Sequence, residues 1–143
     1  LETNPDQVSA FLLMQLRQAL QTTNIEAFIA TLQAIFADIP SQLFLPQEAY
    51  YHSVVYLVLR LLGFTIQAER MTNVGRIDAV LELADKVYIL EFKMTTGQIA
   101  LDQIRSKQYA QPFLGSNKTV ILVGIAFDKT TRNIADWAHE VVG

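Results

Sequence analysis

Two short runs with the alternation of β-strands lie side by side between Gly75 and Lys93, and they constrain the fold more than any other segment. The runs cover residues 76–83 and 87–93, and the three residues between them, Ala84-Asp85-Lys86, form a polar segment of hairpin length. An antiparallel pair is therefore expected at the centre of the fold, with the remaining elements packed around it.

Three charged side chains of this hairpin are predicted to share one face. Successive side chains of a strand point to opposite faces, so Glu91 and Lys93 lie together, and pairing of the runs brings Asp78 towards them. The second run is otherwise apolar, and an ionised group buried there must be paired or bound to a metal. The residues alone leave three interpretations open: a buried Glu91–Lys93 ion pair beside a solvated Asp78, an edge strand, or a functional site.

The spacing of these residues resembles a known signature. Asp78, followed after twelve residues by Glu91-Phe92-Lys93, is similar to the Asp…(Asp/Glu)-x-Lys pattern of the PD-(D/E)XK nuclease superfamily, although Ile77 replaces the name-giving Pro. Further segments follow the order of the nuclease-like domain found C-terminal to an AAA-ATPase-like domain in many bacterial proteins. They are Glu48-Ala-Tyr-Tyr-His52, Gly63-Phe64, Glu69, Gly75-Arg76-Ile77-Asp78 and Ala100-Leu101-Asp102-Gln103-Ile104, with Lys107 and Tyr109, and the resemblance covers roughly residues 42–137.

The resemblance implies a metal site with an adjacent lysine. Asp78, Glu91 and the backbone carbonyl of Phe92 would hold Mg²⁺ or Mn²⁺, since these hard cations prefer oxygen ligands. Lys93 would orient the attacking water or stabilise the charge of the transition state. The implied reaction is metal-dependent hydrolysis of phosphodiester bonds, in DNA in preference to RNA.

Two helices are expected to support this site. The resemblance assigns an acidic residue of the third helix, here Glu48, and a polar residue of the fourth, here Gln103, to positions beside the carboxylates. His52 is four residues after Glu48 and shares its helical face, which makes it a weaker candidate. Without the resemblance, Glu48 is an acidic residue favoured by the helix dipole, His52 a half-buried histidine and Gln103 a surface glutamine.

Charge favours a second interpretation. The formal net charge is −3, whereas proteins that grip duplex DNA usually carry a basic face. The alternative function is therefore a catalytically silent nuclease fold that serves as a binding or sensing module of an ATPase-like protein, and a homo-oligomer is compatible with the sequence. Basic residues that could rim the site, or be ordinary solvated positions, are Arg60, Arg70, Arg76, Lys93, Arg105 and Lys107.

Composition indicates a packed protein outside the membrane. Of the 143 residues, 51% are hydrophobic, none is Cys, and no apolar run reaches the length of a membrane span. Disulfides and thiolate zinc sites are thereby excluded, and a soluble cytoplasmic protein is expected. The chain begins with Leu1 rather than Met, so we expect a piece of a longer polypeptide whose missing part would be the ATPase-like region.

Periodicity predicts the element order α-α-α-β-β-β-α-β and a terminal strand or helix. Residues 1–41 are expected to form a helical hairpin, and residues 42–143 the nuclease-like domain. The predicted fold class is α/β, with a central mixed β-sheet flanked by helices as in restriction endonucleases. The expected elements are helices from Pro5 and from Asn24, a helix from Leu45 to Leu62, a strand at 64–69, a turn at 71–75, the hairpin, a helix at 98–111, a buried strand at 120–127 and the last element at 132–142.

Overall fold

The computed structural model describes residues 5–43, 45, 47–72 and 75–142, and the chain divides into two compact units, 1–44 and 45–143. In the first unit, helices α1 (Pro5–Gln21) and α2 (Ile25–Ala37) pack against each other and are followed by a 3₁₀ turn, Ser41–Leu43. Asn24 caps α2, since its side chain accepts the N–H of Ala27 at 3.1 Å. The predicted cap of α1, Asn4, lies outside the described residues.

The second unit is a five-stranded mixed sheet with a helix on each face, which confirms the predicted fold class. The strands lie in the order β1-β2-β3-β4-β5, and only β3 and β4 run parallel, joined by a crossover through α4. No described helix is long and apolar enough to cross a membrane. The elements are α3 (Glu48–Leu61), β1 (Thr65–Thr72), β2 (Gly75–Glu82), β3 (Lys86–Lys93), α4 (Gly97–Ser106), β4 (Thr119–Asp128) and β5 (Asn133–Val142).

The two helices cover opposite faces of the sheet. On the α3 side the ring of Tyr51 stacks on Phe127 with centroids 4.2 Å apart, and His52 packs against Phe92 at 4.9 Å. On the α4 side a buried cluster joins helix and strand residues. Because side chains alternate along β3, the carboxylate of Glu91 belongs to the α4 side. The cluster comprises Ile77, Val80, Val87, Ile89, Leu101, Ile104, Tyr109, Phe113, Val120 and Leu122.

Strands β2 and β3 separate beyond the pair Ala79 and Leu90, the last of four pairs that begin at the hairpin turn. The β1–β2 ladder is also interrupted here, since Glu69, which stands opposite Asp78, is unpaired and has a φ of 54°. Strict alternation placed Ile77 on the face opposite Val80, yet both belong to the α4-side cluster. The interrupted ladder explains why alternation fails at this one point.

Helix α4 approaches the sheet closely at Gly124, the partner of Glu91 in the parallel ladder. A Cβ at Gly124 would collide with the carbonyl oxygen of Gly97 and lie 2.6 Å from the nitrogen of Leu101. The start of α4 is fixed further by Asp136 of β5, whose Oδ2 accepts the Gly97 N–H at 2.8 Å. The helix is therefore held directly over the strand position of Glu91.

Several element boundaries differ from those predicted. Helix α4 ends at Ser106 rather than Gln111, and the expected inner-face residue Gln108 is exposed with a φ of 54°. Met71 and Thr72, expected in a turn, extend β1, while residues 73 and 74 of that turn lie outside the described residues. The terminal element is a strand that pairs antiparallel with β4.

We expect Gly124→Ala to destabilise the second unit. The added methyl group meets backbone atoms that cannot move aside, and overpacking of this kind costs about 1–3 kcal/mol. Urea unfolding would measure the loss. Gly115→Ala is the comparison, because a Cβ there meets no atom within 4 Å and only its φ of +88° is strained. A Gly124→Ala protein as stable as the wild type would contradict the close approach.

Candidate functional site

The carboxylate of Asp78 lies where β2 and β3 separate. Its Oδ2 accepts the backbone N–H of Phe92 at 2.9 Å, across the position where the ladder has stopped. The bond replaces a ladder hydrogen bond with one to a charged group, and such bonds are stronger than neutral ones. Asp78 is thereby held against β3, next to the strand position of Glu91.

Glu91 is almost completely buried, with 2% of its surface exposed. Its Oε1 accepts a hydrogen bond from Nε2 of Gln103 at 2.7 Å, as helix α4 crosses above it. Its Oε2 is buried and has no hydrogen-bond partner among the described residues. An unpartnered carboxylate oxygen in the interior is costly, so this atom marks a place where a ligand would be stabilising.

Burial and, after it, the negative charge of Asp78 raise the pKa of Glu91 to about 8. The positive charge of Lys93 opposes the shift. Asp78 and Glu91 are therefore close enough to repel each other strongly when both are ionised.

The structure brings Lys93 near this pair without an ion pair. Its charge acts on the pKa of Glu91, but the ion pairs of the described residues do not include one between Lys93 and Glu91. Lys93 is partly exposed and ends β3. This geometry disfavours the interpretation of a buried Glu91–Lys93 ion pair and leaves the ammonium group available.

The backbone of Phe92 contributes a further oxygen. In a strand the N–H and C=O of one residue point to the same side, and the N–H of Phe92 points to Asp78. Its carbonyl therefore faces the same gap, where β2 no longer pairs with β3. The ring of Phe92 lies on the other face of the sheet, against His52.

These oxygens fit a hard divalent cation. Asp78 and Glu91 each keep one oxygen without a donor among the described residues, and the Phe92 carbonyl adds a third. Among the same residues, no cluster of three or more His, Cys, Asp or Glu side chains could hold a metal. A cation here would thus depend on two carboxylates, one carbonyl and water, which is the ligand chemistry of Mg²⁺ or Mn²⁺.

The structure does not bring Glu48 or His52 into contact with the carboxylates. Glu48 is exposed in the first turn of α3 and makes no hydrogen bond or ion pair among the described residues. The ring of His52 contacts Phe92 on the α3 face, and its buried Nε2 has no hydrogen-bond partner among the described residues. A role for either residue in the site stays a prediction.

Tyr109 is a neighbour of the site to which the sequence analysis gave no role. It is 2% exposed, and its pKa is raised by burial and then by the charge of Glu91. A hydrogen bond from the Gln103 side chain lowers the same pKa, so the hydroxyl lies beside the amide that holds Glu91. The available signal was the position of Tyr109, six residues after Gln103.

The surrounding basic residues are partly neutralised. Arg105 donates to Glu140 at 2.6 Å, and Arg76 lies 3.7 Å from Glu69. Arg60 and Lys107 are exposed, and the side chain of Arg70 lies outside the described part of the chain. A continuous basic rim is therefore not formed by the described side chains.

Comparisons with known proteins agree with this geometry. Residues 46–137 match the family model of the PD-(D/E)XK nuclease superfamily. An "uncharacterized protein in vnfD 5′ region" of Azotobacter chroococcum mcd 1 is 29% identical in an alignment of 137 residues that covers 90% of this chain. The matched segment is 27% of that relative, so the chain spans about a quarter of its length.

We expect the metal-free protein to lose stability as the pH rises. With a pKa of about 8 in the folded state and 4.5 as its ordinary value, Glu91 binds more proton in the folded than in the unfolded chain between these values. The contribution of Glu91 to the free energy of unfolding is therefore fully present below about pH 4.5. It falls as the pH rises towards 8, by at most about 1.4 kcal/mol per pH unit. Urea unfolding in a chelator at several pH values measures it.

Glu91→Gln should remove this pH dependence. The amide can accept a hydrogen bond from Gln103 and donate one to Asp78 at any pH, because it does not need to take up a proton first. The stability of Glu91→Gln relative to the wild type should increase with pH, whereas the exposed Glu48→Gln should follow the wild type. Parallel pH curves for the wild type and Glu91→Gln would show that Glu91 is ionised throughout, against the raised pKa.

Proposed function

The chain belongs to the PD-(D/E)XK nuclease superfamily, and on that premise we propose that Asp78, Glu91 and Lys93 carry out metal-dependent hydrolysis of phosphodiester bonds in nucleic acid, with DNA as the preferred substrate. The observation that supports this most is the pair of neighbouring carboxylates, one of which has a buried oxygen without a partner. Two ionised carboxylates this close repel each other in the metal-free protein, and a divalent cation between them turns the interaction into a favourable one.

Each residue has a defined task in this proposal. Asp78, Glu91 and the Phe92 carbonyl would hold Mg²⁺ or Mn²⁺, and the cation would supply Lewis-acid polarisation of the scissile phosphate. Lys93, which forms no ion pair with the described side chains, places its ammonium group where negative charge develops on the phosphate oxygens or orients the attacking water. Gln103 fixes the carboxylate of Glu91 through a 2.7 Å hydrogen bond.

Glu48 enters the proposal with less support. It begins α3, on the face opposite α4, and an exposed carboxylate there would act on a nucleic-acid substrate only from the margin of the site. We therefore propose a supporting role for Glu48 that is smaller than that of Gln103.

A binding module of an ATPase-like protein is the second candidate. Two observations favour it, the net charge of −3 and the neutralisation of Arg76 and Arg105 by neighbouring acids. The relative is much longer than the matched segment, which covers 27% of it, so a further domain beside this one is compatible with the comparison. The intact Asp78, Glu91 and Lys93 favour the nuclease.

We expect cleavage of plasmid DNA with Mn²⁺ or Mg²⁺, stopped by a chelator. Asp78→Asn, Glu91→Gln and Lys93→Ala should each lower the rate by roughly 10²–10³-fold, the usual effect of losing a group that stabilises transition-state charge. Because the three residues act as a unit, a double variant should be scarcely slower than a single one. Gln103→Ala and Glu48→Ala should lower it less.

Two outcomes would count against this assignment. Cleavage by Lys93→Ala at the wild-type rate would exclude Lys93 from catalysis. A wild-type protein that binds DNA but cleaves neither DNA nor RNA with either metal would favour the binding module.

Metal binding can be tested without a substrate. A ligand that binds only the folded state stabilises it by about 2.7 kcal/mol at a hundred times its Kd, so Mn²⁺ should raise the melting temperature by several degrees. Asp78→Ala and Glu91→Ala should lose this gain, yet be at least as stable as the wild type without metal, since repulsion is relieved. Thermal shift measures both.

A structural ion pair would give the opposite pattern. Removing Glu91 from a buried pair would leave Lys93 uncompensated and cost about 3–5 kcal/mol. A wild type insensitive to metal, together with a badly destabilised Glu91→Ala, would exclude the metal site.

A further inference from the structure

One buried hydroxyl, that of Tyr109, lies between elements that carry the two carboxylates. It belongs to the α4-side cluster and is 2% exposed. On one side a Cβ added to Gly75 would lie 2.8 Å from the hydroxyl oxygen. On the other side the Gln103 side chain lies close enough to lower the pKa of the hydroxyl, and the charges of Glu91 and Asp78 both raise it.

These contacts link β2 and β3 at a point where the two strands no longer pair in the sheet. Gly75 begins β2, three residues before Asp78, and Gln103 is bonded to Glu91 of β3. The β2–β3 ladder ends at Ala79 and Leu90, and among the described residues the bond from Phe92 N–H to Asp78 joins the two strands beyond this point. Tyr109 thus lies beside the start of β2 and beside the Gln103 side chain that is bonded to β3, at the opening between the strands that we call the fork.

We propose that Tyr109 is a positioning residue that braces this fork. Its hydroxyl holds the Gln103 amide in the orientation in which Nε2 donates to Oε1 of Glu91, so that Oε2 stays available. Its contact with Gly75 sets how far the start of β2, and with it Asp78, lies from β3. The consequence for metal binding rests on the proposed function; the bracing of the strands does not.

Gly75 is the residue that allows the brace. Its φ of +145° is rarely adopted by other residues, and any side chain would displace the Tyr109 hydroxyl. The Tyr109 hydroxyl therefore lies close to the Gly75 backbone, in a space that is large enough for it only when the Cβ is missing.

The test removes only the hydroxyl, in Tyr109→Phe. Its matched control is Tyr51→Phe, which loses a hydroxyl of an equally buried tyrosine that donates to the Asp128 carbonyl at 3.3 Å on the other face of the sheet. The first readout is amide hydrogen exchange by NMR without metal, at Phe92 in the fork and at Leu122 in β4. The second is the Kd of Mn²⁺ by calorimetry.

Tyr109→Phe should speed exchange of the Phe92 amide about threefold to tenfold, as expected when one buried hydrogen bond is lost nearby, and leave Leu122 unchanged. It should also weaken Mn²⁺ binding about tenfold or more, the usual effect of losing a group that orients a ligand. Combined with Gln103→Ala it should add nothing, since both act through one amide. Tyr51→Phe should change neither readout.

Unchanged Phe92 exchange in Tyr109→Phe, or equal acceleration at Phe92 and Leu122, would overturn the brace, because the second result is that of a general loss of stability. Multiplied losses of Mn²⁺ affinity in the double variant would overturn the route through Gln103. A wild type that binds no Mn²⁺ would defeat the proposed function instead, and Phe92 exchange would still decide the role of Tyr109.

Discussion

The placement of two carboxylates at one end of the β2–β3 hairpin is the constraint on which the rest of this unit depends. Ionised Asp78 and Glu91 repel each other, and burial strengthens the repulsion because few water molecules screen it. The surrounding contacts are those needed to hold the groups in place. Phe92 N–H binds one carboxylate and Gln103 the other, and α4 is pressed against Gly124 and tied to Asp136 so that Gln103 reaches its partner.

Local periodicity accounts for part of the predicted site. Side chains alternate along a strand, so spacing alone predicts that Glu91 and Lys93 share one face of β3, whereas alternation fails in β2 at the position of Asp78. The fold class followed from the order of elements for a similar reason, since a crossover helix before a buried strand requires a parallel pair. The fold class is confirmed because it depends on a connection rule that has few alternatives, whereas the roles of Asp78, Glu91 and Lys93 stay predictions.

What the sequence did not reveal depends on contacts between distant segments. The tie from Gly97 to Asp136 joins residues 39 apart, and the brace at Tyr109 requires that Gly75 return beside it. Gly124 did carry a signal, because a glycine within an aliphatic strand often marks a close backbone approach. The end of α4 differs from the predicted end at residue 111, because the helix ends at Ser106, and Pro112, which would end a longer helix, lies in a separate 3₁₀ turn, Gln111–Phe113.

The acidic balance of the protein changes how its proposed reaction must begin. Asp78, and Glu91 once it is ionised, repel a phosphate group as they repel each other, and the net charge of −3 gives no compensating attraction over the whole chain. Ion pairs with Glu69 and Glu140 further reduce the attraction from Arg76 and Arg105. A divalent cation between the carboxylates would reverse the local sign of the potential, and the unpaired Lys93 would add to it. In the proposed nuclease, cation binding would therefore precede productive contact with the phosphodiester. The site would select its substrate only after the cation is bound.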